Sequence, residues 1–125
     1  MDRTVRQASA KGVKAKPVIP RTLARQDVDE AVAFYIAEGS EKAATGLVDA
    51  LEKAFRHISR QPATGSPRLG QVLNLPDLRS WPLARYPYLV FYVERADHID
   101  VWRVLHSRRD IPNGVSEALS PEDEG

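Results

Sequence analysis

Tyr88–Glu94, YLVFYVE, and His98–His106, HIDVWRVLH, decide the fold. Each is a run of β-branched and aromatic residues at strand length, and Ala96-Asp97 between them reads as a tight turn. In the first run Leu89, Phe91 and Val93 point to one face of a sheet, and Tyr88, Val90 and Tyr92 to the other. In the second, Ile99 and Val101 share a side opposite Trp102 and Val104. Both faces of this hairpin are therefore apolar, and both need cover. A bulge near Trp102 or Arg103 would exchange the sides.

Working outward, Leu78–Leu83 reads as a third strand interrupted by Pro82. Before it, Pro62–Gly70 is rich in Pro, Gly, Ser and Thr and reads as a loop. Earlier still the period is helical. Ala44, Leu47, Val48, Leu51, Phe55 and Ile58 make one stripe of a helix capped by Ser40 and stopped by Gln61-Pro62. Leu23, Val28, Ala31, Val32, Tyr35 and Ile36 make the stripe of a preceding helix, with Thr22 as N-cap and Gly39 as terminator. So short a link forces the two helices into an antiparallel hairpin. Val18 and Ile19, between two prolines, read as a short edge strand. The expected architecture is α+β, in the order β-α-α-β-β-β, with the helix hairpin on one face of a small antiparallel sheet. The partner of the first strand stays open. A face carrying Tyr92, Trp102 and Val104 is left for either a partner or the C-terminal segment to cover.

The 125 residues suit one domain. A hydrophobic share of 42% and a charged share of 28% describe an ordinary globular chain. Cysteine is absent, which excludes disulfides and thiolate chemistry. No apolar run approaches bilayer length, and the basic N-terminus lacks the apolar core of a secretory signal. The net charge of +1 conceals a gradient. Arg3, Arg6, Lys11, Lys14 and Lys16 face only Asp2 near the start, and Glu122, Asp123 and Glu124 end the chain. After Lys53 every basic residue is arginine, the better residue for bidentate contacts to carboxylate or phosphate; a GC-rich genome would give the same bias. Residues 1–16 read as a basic disordered tail, 17–112 as the folded domain, and 113–125 as a C-terminal tail with a short helix around Val115–Leu119.

Chemistry would have to come from His98, Arg103, His106, Arg108, Arg109 and Asp110. A histidine among arginines is the raw material of a ribonuclease, with the arginines stabilising phosphorane charge. A base carboxylate is missing unless Glu94 or Asp110 serves. Arg109, Asp110 and His106 at a strand end read better as structural residues, paired locally or with the backbone, and His57 reads as a surface residue. The histidines lack metal-ligand spacing, and Gly65 and Gly70 do not form a phosphate loop. Neither metal nor cofactor is expected.

The segment LRSWPLARYPYLVFYVERADHIDVWRVLHSRRDIP, Leu78–Pro112, resembles the C-terminal half of ParE-type toxins of the RelE/ParE toxin–antitoxin superfamily. Arg79-Ser80, Phe91-Tyr92 and the closing His106-x-x-Arg109-Asp110 carry the likeness. The helix hairpin and the Pro62–Gly65 loop extend it to about residues 18–112; the basic tail lies outside. The resemblance implies the fold described above and a bacterial, cytoplasmic toxin of the plasmid-stabilization kind. A ParD-like antitoxin would wrap it in a hetero-oligomer and meet operator DNA itself, so the toxin would touch DNA only indirectly. It also implies a growth inhibitor that blocks DNA gyrase by binding rather than by catalysis. RelE cousins instead cut mRNA on the ribosome with basic residues and a terminal tyrosine or histidine. This chain lacks a tyrosine after the last strand and has few helical lysines, which favours the ParE branch. Arg85, His106 and Arg108 keep the endoribonuclease as an alternative, and an inactive family member acting as a co-repressor is another. Arg79, Arg85, Tyr92, Trp102, His106, Arg109 and Asp110 are the expected contacts to antitoxin or target.

Overall fold

The computed structural model describes residues 15–108. Its elements run β1 (Val18–Pro20), α1 (Thr22–Ala37), α2 (Glu41–Arg60), a 3-10 turn (Pro62–Thr64), α3 (Arg68–Val72), β2 (Leu78–Pro82), β3 (Tyr88–Glu94) and β4 (Ile99–His106). The expectations for the basic tail ahead of Ala15, for Arg109 and Asp110, and for the C-terminal tail lie outside the described residues.

The four strands form one sheet in the order β1-β4-β3-β2. β2, β3 and β4 are antiparallel, but β1 pairs with β4 in parallel, Val18 opposite Ile99 and Pro20 opposite Val101. The sheet is therefore mixed rather than purely antiparallel. The helix hairpin is the crossover that permits this, because it returns the chain to the same end of the sheet.

α2 forms as its sequence demands. Ser40 Oγ accepts the Ala43 N–H at 3.0 Å, and Ala44, Leu47, Leu51, Ala54 and Ile58 are buried along one stripe. The link before it is a helix-ending turn. Gly39 adopts φ +84°, and its N–H and that of Ser40 return to the Ile36 and Tyr35 carbonyls. α1 differs in two respects. Its N-cap is Arg21, without a side-chain cap bond, so Thr22 is the first helical residue rather than the cap. Ala24, not Ile36, is the deeply buried position; Ile36 is 53% exposed.

The sheet faces also differ from a simple alternation. Tyr92 pairs with Val101 and Phe91 with Arg103, so Trp102 is the extra residue of a bulge. Upstream of it Ile99 and Val101, and downstream of it Val104, all face the helices together with Tyr88, Val90 and Tyr92. Trp102 turns to the other face with Phe91, Val93, Leu78 and Leu105. Among the described residues, that second face is covered by Leu69, Leu73 and Leu75, from α3 and the turn behind it. The stretch read as loop thus contains a short helix. Gly70 of α3 is buried close to the Leu75 and Leu78 carbonyls, where a Cβ would collide with backbone.

The outer edge of β2 is closed. Ser66 and Ser80 exchange both backbone hydrogen bonds, Leu78 N–H reaches the Leu75 carbonyl, and Pro82 has no N–H to offer.

Candidate functional site

Among the described residues, three clusters of polar side chains around the sheet take in Arg79, Arg85, Tyr92, Trp102, His106 and Arg108, which were expected to carry function. The first lies behind β2. Arg79 donates from Nη1 to the Gly65 carbonyl at 2.8 Å, and the Tyr92 hydroxyl donates to the Pro62 carbonyl at 2.6 Å. Together they pin the 3-10 turn to the sheet. Tyr92 is 0% exposed in the helix-side core, so it is a structural residue rather than the interface residue expected from the sequence. Burial pushes its phenol pKa up from the ordinary value, which keeps the hydroxyl a donor.

The second cluster is at the end of the sheet where β4 leaves it. His106 pairs across the strands with Tyr88, the rings edge to face with centroids 5.2 Å apart. The Arg108 backbone N–H donates to His106 Nδ1 at 3.1 Å, which selects the tautomer with its proton on Nε2. Arg85 belongs to the β2–β3 connection and holds φ +72°, a left-handed conformation unusual for a residue with a Cβ. Its neighbour Tyr86 fixes that connection to the helices: its hydroxyl donates to the Ala43 carbonyl at 2.9 Å, and its ring meets Tyr35 edge on. Arg85, His106 and Arg108 therefore share one end of the sheet, with Arg85 and Arg108 exposed.

The third cluster was not anticipated from the sequence. Asp100, 8% exposed, accepts Arg21 Nε and Nη2 at 3.0 Å each, Arg95 Nε and Nη2 at 3.1 and 2.9 Å, and Trp102 Nε1 at 3.1 Å. Arg21 also lies over the Trp102 ring, 4.6 Å from its centroid. Burial alone would raise the Asp100 pKa, but the hydrogen bonds from Arg21, Arg95 and Trp102 outweigh it and hold the carboxyl below the usual range. The signal was legible in principle: an aspartate between Ile99 and Val101 in an apolar strand requires a buried counter-charge. Trp102, expected at an interface, is mostly buried here by the α3 side of the molecule.

Elsewhere His57 is half-buried rather than a free surface residue. It stacks on Trp81 with centroids 4.0 Å apart, and its Nε2 lies 2.7 Å from the Thr64 hydroxyl. His98 lies 2.8 Å from the exposed Asp97 carboxylate, which lowers the Asp97 pKa. Among the described residues, no group of His, Asp and Glu could hold a metal ion, and no helix is long and apolar enough to cross a membrane.

The family model described as ParE toxin of type II toxin-antitoxin system, parDE, matches residues 18–111. No curated protein matches the chain. Among solved structures it is similar to the chromosomal ParDE TA system from P. aeruginosa, with TM-score 0.61 and 17% identity over 74% of this chain and 96% of that one.

Proposed function

The chain belongs to the ParE family of type II toxin–antitoxin toxins, and from that premise we propose that it arrests growth by binding DNA gyrase, without catalysing a reaction itself. In this reading it is held inactive in the cytoplasm by a ParD-like antitoxin, and it reaches operator DNA only through that partner. The observation that supports this reading is the match to the ParE toxin family over residues 18–111, and the residue on which the non-catalytic part turns is His106. Its Nδ1 accepts a backbone N–H from Arg108 and its ring packs against Tyr88. A general acid or base must exchange a proton with substrate, and with Nδ1 held by backbone any such exchange at His106 has to run through Nε2. The exposed Arg85 and Arg108 suit recognition of an acidic surface or a phosphate equally well.

The grouping of Arg85, His106 and Arg108 at one end of the sheet favours the second reading, a ribosome-dependent mRNA endonuclease. One assay separates the two. Purified toxin is added to gyrase supercoiling and DNA-cleavage reactions, with and without antitoxin. Loss of supercoiling that antitoxin restores is the expected result. Unaffected gyrase together with cleavage of ribosome-bound mRNA, abolished by His106→Ala, would replace this reading by the nuclease. A folded toxin that is inert in both assays and harmless on expression would identify a co-repressor.

A further inference from the structure

Between α1 and α2 lies an apolar groove of about 390 Å³. Val28 of α1 and Val48 and Phe55 of α2 form its walls, and it reaches down to Val104 of the sheet. Val48 keeps 38% of its surface exposed, and Val28 and Phe55 are only partly buried. The volume exceeds what one side chain fills and suits a short extended stretch of chain. On the rim, Asp29 and Glu52 stand against Arg25.

The groove leads to the point where the described chain begins. Val48, Glu52, Phe55 and Ser59 follow one another at helical spacing along one flank of α2. Ser59 holds Lys16 twice: its hydroxyl donates to the Lys16 carbonyl at 2.6 Å, and the Lys16 N–H donates to the Ser59 carbonyl at 3.1 Å. Lys16 is therefore fixed about one helical turn beyond Phe55, and residues 1–14 set out from the end of the groove. Extended, that segment spans up to about 46 Å, against roughly 17 Å along the helix from Ser59 to Val48.

We propose that residues 11–14 of this chain fold back along the groove as a strap, with Val13 entering it beside Phe55. Three extended residues carry the chain about 10 Å from Lys16 to Val13, and seven helical residues span about the same distance from Ser59 to Glu52, so Val13 arrives level with Glu52 and Phe55. Lys11 and Lys14 flank Val13, and four of the five charged residues among residues 1–14 are basic. They meet a rim where two carboxylates face one guanidinium. The tether decides between occupants: a segment anchored at Ser59 meets the groove at an effective concentration on the order of millimolar, without any free partner. Anything else that enters the groove must first displace the strap.

The chain has no cysteine, so a single introduced one reports on the groove. Full-length Val48→Cys is reacted with an uncharged thiol reagent, alone and combined with Val13→Asp. An aspartate at position 13 cannot sit against Phe55 and is repelled by Asp29 and Glu52. It should release the strap and speed the reaction about tenfold or more, as losing the burial of one valine implies. A rate that Val13→Asp leaves unchanged overturns the proposal. A slow rate that rises as the protein is diluted overturns it too, because a second copy then fills the groove. Should Val48→Cys disturb the fold, Val28→Cys on the opposite wall gives the same comparison with the same two readings.

Discussion

Asp27 of α1 closes the edge of β4 that β1 is too short to cover, accepting from Nε and Nη2 of Arg103 at 2.8 Å each. The same carboxylate accepts the Val104 backbone N–H at 2.9 Å, standing in for the carbonyl of a missing strand. β1 pairs only with Ile99–Val101, and the bulge at Trp102 turns the Val104 amide toward the helix. Asp27→Ala should therefore cost about 3–5 kcal/mol, the range for removing one partner of a buried ion pair. Asp27→Asn keeps an acceptor for Val104 and should lose clearly less. Urea midpoints of the three proteins check the order; equal loss in both variants would mean that the charge alone matters.

Tyr92 supports a second prediction. Its ring is enclosed under the helices, and its hydroxyl holds the Pro62 carbonyl. Tyr92→Phe should lower stability by about 1 kcal/mol, one net hydrogen bond, and leave antitoxin affinity unchanged. Tyr92→Asp should fail to fold, because it places an unpaired charge in the core. Thermal melts and a binding titration of the Phe variant test both statements. A loss of affinity without loss of stability would return Tyr92 to the interface.

The error about Tyr92 shows where sequence stops being legible. The helices, β3, and the β3–β4 turn follow from periodicity and capping, which are local properties. The facing of β4 does not, because the bulge residue Trp102 is a strand former like its neighbours and nothing in its identity marks it as extra. The parallel pairing of β1 depends on a long-range contact between residues about eighty positions apart, to which a three-residue strand contributes little local signal. α3 escapes for the opposite reason: five residues among prolines and glycines are too few for a helical period to show. Among the candidate residues, Arg79 and His106 were named from the family pattern, and Arg85 with the nuclease alternative. Arg21, Arg95 and Asp27 were not, because their roles come from partners distant in sequence or, for Arg95, from a buried aspartate whose burial only the fold reveals.

The Asp100 cluster makes stability depend on acid. Its folded-state pKa lies below the unfolded value, so its contribution is complete above the unfolded carboxylate pKa of about 3.9 and is lost as pH falls through the lower folded value. Denaturant unfolding measured from pH 6 to pH 2.5 should therefore show stability falling below about pH 4. Asp100→Asn should be less stable at pH 6, by about 3 kcal/mol or more, and should flatten that acid limb. An unchanged acid limb in the Asn variant would assign the acid sensitivity to other carboxylates.

Gly46 and Tyr86 form a coupled pair. A Cβ on Gly46 of α2 would overlap the Tyr86 hydroxyl, which is itself fixed to the Ala43 carbonyl. Alanine is a better helix former than glycine by about 1 kcal/mol, so the substitution meets two opposed effects. Gly46→Ala should destabilise the parent through the clash but stabilise, or at least spare, a Tyr86→Phe background where the hydroxyl is gone. A double-mutant cycle by thermal or urea unfolding reads the sign change directly. Additive effects would show that the connection yields freely.

Arg85 separates fold from function. Its φ of +72° is a conformation that costs a residue with a side chain roughly 1 kcal/mol relative to glycine. Nothing in the packing requires an arginine there, because the residue is exposed and the connection is anchored next door by Tyr86. If strain is kept for the sake of the guanidinium, Arg85→Gly should unfold at the same denaturant concentration as the parent or a higher one, yet lose toxicity in cells producing it without antitoxin. Arg85→Lys, which keeps the charge without the bidentate donors, should fall between them in toxicity. Full toxicity of the glycine variant would remove Arg85 from the target surface and leave its conformation as a property of the turn alone.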